Sequence, residues 1–352
     1  MSGGGRPLTV LSVAYPLAPV GPDAVGGAEQ VLSAVDRALH AAGHRSVVVA
    51  QEGSTVAGAL RAVPRPAGAL DDAARARAQA DTARAVAAAL RERRVDAVHL
   101  HGIDFHAYLP PPGPPVLATL HLPPSWYPAG ALRPSRPGTW LHGVSASQHA
   151  ALLDARAEPL LPPVPNGVPV DALGAARHHA RRPFALALGR VCPEKGQHAA
   201  LEAARAAGVP LLIGGAVYPY EAHERYFARE VAPRLDRRRR FLGPVGFARK
   251  RRLLAAARCL LVPSTAPETS SLVAMEAAAC GTPVIAFPSG ALPEVVEHGR
   301  TGFLVPDAAG MADAIGRVGS LDREGIRRAA RERFSDARMA GEYLALYRRL
   351  AA

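Results

Sequence analysis

Aromatic side chains make up only 5% of the 352 residues, too few for the stacking platforms that hold single-stranded nucleic acid. Cys192, Cys259 and Cys280 are the only cysteines and form no C-x-x-C pair. That excludes a disulfide framework and reads as a reduced, cytoplasmic chain. No apolar run reaches the ~20 residues of a membrane span, because Pro or Gly interrupts each candidate. The N-terminus has no charged-then-apolar leader with a cleavage pattern. Lysine is scarcest of all: of 42 basic residues only Lys195 and Lys250 are lysine. In a chain that writes nearly every cation as Arg, a lysine at 195 points to a use for the compact ammonium. Lys250 reads as a bystander.

The length suits two α/β domains better than one, and 49% hydrophobic residues can fill two cores. The formal charge of +12 supports a general attraction for anions, nucleotides included. With no reader motif it does not make a nucleic-acid-binding protein. Ala, Arg and Pro are heavily used throughout, as in a chain from a GC-rich genome. The runs Arg237 to Arg240 and Arg249 to Arg252 read as solvated faces.

The pattern predicts a buried strand over 8–14, a Pro/Gly-rich loop ending in Gly26-Gly27-Ala28-Glu29, a helix over 29–42 closed by Gly43, and a strand over 46–50. This is a βαβ unit. An Ala/Arg-rich helix spans roughly 70–94, with strands at 97–101, 116–120 and 140–144. Pro159 to Pro169 is Pro-rich, carries Asn166-Gly167 and reads as a hinge. The alternation then restarts, with strands at 184–188, 210–214, 259–262, 284–286 and 302–305. Helices lie at 197–207, 249–257 and 272–279, and more close the chain. The expected domains are 1–165, binding the acceptor, and 166–334, binding the donor, with a helix over 335–352 packing back on the first. Doubly wound sheets bind ligands at the carboxyl ends of their strands, so two facing ones would enclose a deep cleft.

The segment from Ala266 to Ile285 carries the most chemistry. Glu268 and Glu276 stand eight positions apart, Ser270 and Ser271 follow the first, and an apolar helix carries the second. Backbone amides at a helix start take phosphates, while carboxylates accept bonds from hydroxyls. A nucleotide sugar presents both groups.

This segment resembles the E-x7-E signature of the GT-B retaining glycosyltransferases, of the glycosyltransferase family 4 (group 1) type. Six further motifs follow that family's order: Gly26-Gly27-Ala28-Glu29; Asp96-Ala-Val-His-Leu-His101; Asn166-Gly167-Val168; Gly189-Arg190 with Glu194-Lys195-Gly196; Phe241-Leu242-Gly243 with Pro263-Ser264; and Leu292-Pro293-Glu294 followed by Thr301 to Val305. The resemblance covers nearly the whole chain. It implies two Rossmann-like domains and a metal-independent, cofactor-free, hexosyltransferase-like reaction. A sugar would pass from a nucleoside-diphosphate sugar to a hydroxyl of a small or polar acceptor, as in natural-product or cell-glycoconjugate biosynthesis.

The implied catalytic set is Arg190, Lys195, His121 and Glu268. The implied donor-binding set is Gly26, Gly27, Val245, Ser270, Ser271, Leu272, Val273 and Glu276. Arg190 and Lys195 would stabilise charge on the leaving phosphate in place of a divalent metal, since no Asp-x-Asp stands where one would be expected. In isolation both would read as loop surface cations, and Glu276 as a first-turn helix acid. Glu276 would hold the ribose, and Glu268 the transferred sugar. His121 would sit by that sugar, whereas His99, His101 and His106 read as structural, and Ser145 and Ser147 as helix caps. Thr269-Ser270-Ser271 departs from the family's commoner Gly- or Pro-Phe-Gly and alters the pocket's shape near the donor sugar. A GT-B sugar-nucleotide epimerase and a non-catalytic nucleotide-sugar-binding protein are the alternatives. The nucleotide base, the sugar and the acceptor are not legible.

Overall fold

A computed structural model describes residues 6–68, 70–176 and 182–352. The chain divides into two compact units, residues 1–165 with 337–352, and residues 166–336.

The first unit begins with β1 (Thr9–Val13), α1 (Gly27–Ala41), β2 (Arg45–Gln51) and β3 (Ala59–Val63). It continues through α2 (Asp72–Glu92), β4 (Ala97–Leu100), β5 (Val116–Thr119), β6 (Thr139–His142) and α3 (Ala146–Asp154). Its six strands are all parallel, in the order β3-β2-β1-β4-β5-β6. The second unit runs α4 (Val170–Gly174), β7 (Ala185–Leu188), α5 (Gln197–Ala206), β8 (Leu211–Gly214), α6 (Glu221–Tyr226), β9 (Arg239–Phe241) and α7 (Phe247–Ala256). Then come β10 (Cys259–Val262), α8 (Leu272–Ala279), β11 (Val284–Ala286), α9 (Leu292–Val295), β12 (Gly302–Leu304), α10 (Ala308–Arg317) and α11 (Arg323–Phe334). Its parallel order, β12-β11-β10-β7-β8-β9, is the same topology read from the other edge. The last helix, α12 (Asp336–Leu350), buries Tyr343 and Tyr347 completely.

Both sheets are doubly wound, which explains the continuous apolar runs of their central strands. Period-two alternation sends neighbouring residues to opposite faces. Leu186, Leu260 and Val262 join one core cluster with α7, α8 and α11. Ala185, Ala187 and Leu261 join another with α5 and α10.

Two strands differ from the sequence expectation. β3 and β9 are edge strands, partly exposed, and their residues Ala59-Leu-Arg-Ala-Val63 and Arg239-Arg-Phe241 lack the apolar continuity that marks the inner ones. The run from Arg237 to Arg240 therefore leads into a sheet edge. α1 starts two residues earlier than the pattern suggested, on Gly27. Ser145 caps α3, accepting from the Gln148 amide at 3.2 Å, whereas Ser147 lies inside the first turn.

Candidate active site

In a doubly wound sheet the ligand position lies outside the strand carboxyl ends, where the strand order reverses. In the second unit that point lies between β7 and β10. The loop after β7 carries Arg190 and Lys195, and the loop after β10 carries Ser264, Glu268, Ser270 and Ser271. The two loops are laced together: the Thr265 amide donates to Glu194 O at 2.9 Å. A Cβ on left-handed Gly196 would lie 2.2 Å from Pro263 O.

That closeness brings Lys195 Nζ to 2.5 Å from Glu268 Oε1. Ser264 Oγ donates to the same oxygen. The Lys195 side chain is 29% exposed and that of Glu268 8%. An ammonium has three donors, so Lys195 can hold Glu268 and still meet an anion. The segment after β11 supports Glu268 from behind. The Ala291 amide donates to Glu268 O at 2.7 Å, and Gly290 (φ +58) presses on the Glu268 backbone.

Glu276 is the fifth residue of α8, so it lies beyond the first turn, and the helix-dipole explanation does not apply to it. Its side chain is 2% exposed, and its Oε1 lies 2.5 Å from Lys250 Nζ on α7. Oε2 is buried without a partner, and so is Ser270 Oγ nearby in sequence. Lys250 is therefore no bystander. The only two lysines of the chain are the partners of the two E-x7-E carboxylates. Ser271 is the N-cap residue of α8 and makes no side-chain cap, and Leu272 and Val273 open the helix. Val245 packs on Gly214 at the carboxyl end of β8, where a Cβ would meet it at 3.2 Å.

Beside Arg190, the Cys192 thiol, Glu194 carboxylate and His223 imidazole have ligand-capable atoms within 4.8 Å of one another. Burial pushes the Cys192 thiol up to about 11, outweighing the charge of Arg190. Burial, then Arg190, lowers His223. The thiol is thus protonated and unreactive at ordinary pH.

In the first unit, histidines gather at the carboxyl ends of β4, β5 and β6. His99 Nδ1 lies 2.6 Å from Tyr347 Oη, and its Nε2 2.6 Å from Thr119 Oγ1. Thr119 Oγ1 also lies 2.6 Å from His142 Nε2. His101 Nδ1 lies 3.1 Å from His121 Nε2. Burial, reinforced by neighbouring imidazoles, holds His99 and His101 well below the usual histidine range. Burial and His142 lower His121 to about 3, and burial lowers His142 to about 4. His106 is exposed. Asp96 of the same motif serves the fold, accepting from the Thr9 amide at 2.8 Å and from Arg6. Gly26 precedes α1, and a Cβ there would collide with the Glu29 carboxylate; Gly27 is the first helical residue.

Sequence reasoning missed Ser264 and Lys250 as partners of the glutamates, Gly290 as the support of Glu268, and Thr119 as the hub of the histidines. In the sequence Pro263-Ser264 stands only as a motif, and the lysine scarcity points to Lys195 alone. Among the described residues, no helix is long and apolar enough to cross a membrane.

Comparison with known proteins identifies the family and the fold. Residues 25–153 match the model of Glycosyltransferase Family 4, and residues 182–320 that of Glycosyl transferases group 1. Over 173 residues the chain is 38% identical to a D-inositol 3-phosphate glycosyltransferase of Mycobacteroides abscessus, which covers 47% of this chain and 39% of that protein. Over 164 residues it is 35% identical to a phosphatidyl-myo-inositol mannosyltransferase of Mycobacterium leprae, which covers 43% of this chain and 42% of that one. The matched stretches thus span about two fifths of those relatives' lengths. The solved structure of AviGT4, a glycosyltransferase involved in avilamycin A biosynthesis, superposes with a TM-score of 0.73 at 27% identity and covers 98% of both chains. With both sheets in doubly wound order and the E-x7-E carboxylates at the switch point of the second, the chain belongs to glycosyltransferase family 4 and has the GT-B fold.

Proposed function

We propose that the protein is a retaining, metal-independent glycosyltransferase that takes a sugar from a nucleoside-diphosphate sugar and places it on a hydroxyl of a small or polar acceptor. The observation that carries this reading is the pairing of the two lysines with Glu268 and Glu276, which leaves one buried carboxylate oxygen of Glu276 unpartnered. A buried acceptor without a donor costs roughly 1–3 kcal/mol, and ribose hydroxyls supply the missing donors.

The second unit holds the donor and the first serves the acceptor. The amides of Ser270, Ser271, Leu272 and Val273 take the diphosphate at the start of α8, with Val245 completing the donor contacts of that unit. The bond from the anomeric carbon to the phosphate oxygen breaks, and the acceptor oxygen bonds to that carbon on the same face. The acceptor proton passes to the leaving phosphate. Arg190 and Lys195 stabilise the charge that grows there, and Glu268 holds sugar hydroxyls. His121, kept neutral by its surroundings, acts as a hydrogen-bonding group rather than a cation.

The test is a thermal-shift screen of UDP, GDP, ADP, dTDP and their sugars, first with EDTA and then with magnesium. A shift from one nucleotide series that persists in EDTA is expected. The anomeric configuration of the product, read by NMR, then reports retention. No shift with any nucleotide overturns the reading.

A further inference from the structure

Lys250 raises a question of residue choice. The chain carries 40 arginines and two lysines, and α7 reads Phe-Ala-Arg-Lys-Arg-Arg-Leu-Leu-Ala-Ala, with arginine on both sides of position 250. An arginine there would keep the ion pair with Glu276. The two cations differ in how they hold a carboxylate. Guanidinium is a planar fork that takes both oxygens in parallel, whereas ammonium is a point charge that can hold one.

The geometry uses that difference. Lys250 Nζ lies 2.5 Å from Oε1, its side chain 12% exposed and that of Glu276 2%. Oε2 is buried with no partner. A fork from the same direction would cover it.

We infer that Lys250 is a positioning residue that holds Glu276 by one oxygen and so reserves Oε2 for the ribose hydroxyls of the donor. The inference rests on the nucleotide-sugar reading and makes the ribose selectivity of the site depend on a lysine outside the E-x7-E segment. It also explains why position 250 departs from the arginine habit of the chain: the pair presents an acceptor atom in addition to neutralising a buried charge.

Two variants separate this role from a purely structural one, because the roles predict opposite orders. Lys250→Arg keeps the charge and offers a fork. Lys250→Gln loses the charge but offers a single amide donor to Oε1. The readouts are the melting temperature and the dissociation constants, by calorimetry, of the preferred nucleoside diphosphate (UDP, GDP or ADP) and its 2′,3′-dideoxy counterpart. The wild type is expected to prefer the ribose form tenfold or more. Lys250→Arg is expected to melt close to the wild type, yet lose most of that preference. Lys250→Gln is expected to melt lower and keep it.

The inference is overturned by Lys250→Arg retaining the wild-type preference, or by folded Lys250→Gln losing it; either variant decides the matter if the other fails to fold. Wild-type protein that binds none of the three diphosphates sinks the donor reading itself. Binding without ribose preference in the wild type sinks this inference alone.

Discussion

The buried histidines make the first unit acid-sensitive, by an amount that follows from their surroundings. His142, fully buried, titrates near 4 in the folded protein instead of at the ordinary 6.5, and His121 near 3. Each therefore binds its proton more weakly folded than unfolded. Below pH 6.5 the unfolded chain takes up protons that the folded unit refuses, so stability falls with pH until the folded values are reached. Between pH 7 and pH 5 each of these two histidines forfeits about 2 kcal/mol, or about 4 kcal/mol together. His99, His101 and His44 are lowered as well and add in the same direction. Asp96, held low by Arg6, loses its contribution only in more acid solution. Domains are stable by ~5–15 kcal/mol, so the loss is a substantial share. With a urea slope of about 2 kcal/mol per molar, the midpoint moves down by roughly 2 M. Trp126 and Trp140 are the only tryptophans and both lie in the first unit, so urea titrations followed by their fluorescence report it alone. A midpoint that stayed constant or rose from pH 7 to pH 5 would refute the reasoning.

Two further outcomes follow from the second unit. Lys195→Ala should lower kcat by roughly two to three orders of magnitude, as losing an oxyanion stabiliser does, and should weaken donor binding by freeing Glu268; in an assay of nucleoside diphosphate release, a fall below tenfold contradicts the assignment. Gly290→Ala and Gly208→Ala both place a side chain at left-handed φ, which costs about 1–2 kcal/mol. At Gly208 a Cβ meets open space, whereas at Gly290 it would lie 2.2 Å from Glu268 O and 2.5 Å from its N. Both variants should melt lower, but only Gly290→Ala should weaken donor binding, by roughly tenfold or more through displaced Glu268. Equal donor binding in the two variants counts against the support role of Gly290.

The fold class was legible because its inner strands are buried on both faces and write themselves as Val, Ile, Leu and Ala runs bounded by Gly and Pro. β3 and β9 escaped because an edge strand needs burial on one side only, and Arg239-Arg-Phe241 carries no such run. The catalytic-site candidates were legible where function resides in a local pattern. Glu268, in the loop after β10, and Glu276, on α8, belong to one strand–loop–helix segment, so their spacing is visible in twenty residues.

Their partners come from elsewhere. Lys195 precedes Glu268 by 73 positions and Lys250 precedes Glu276 by 26. Only the parallel order that sets β7 beside β10, and the packing of α7 against α8, brings them together. No periodicity records such a meeting. The histidine hub has the same origin: Thr119, His142, His99 and Tyr347 come from three strands and the last helix. Composition nevertheless held part of the answer. At position 250 a chain biased so strongly to arginine keeps a lysine where a fork would cover the free oxygen of Glu276. Both lysines sit on the carboxylates proposed to touch the donor, so the scarcity of lysine marks position 250 as strongly as position 195.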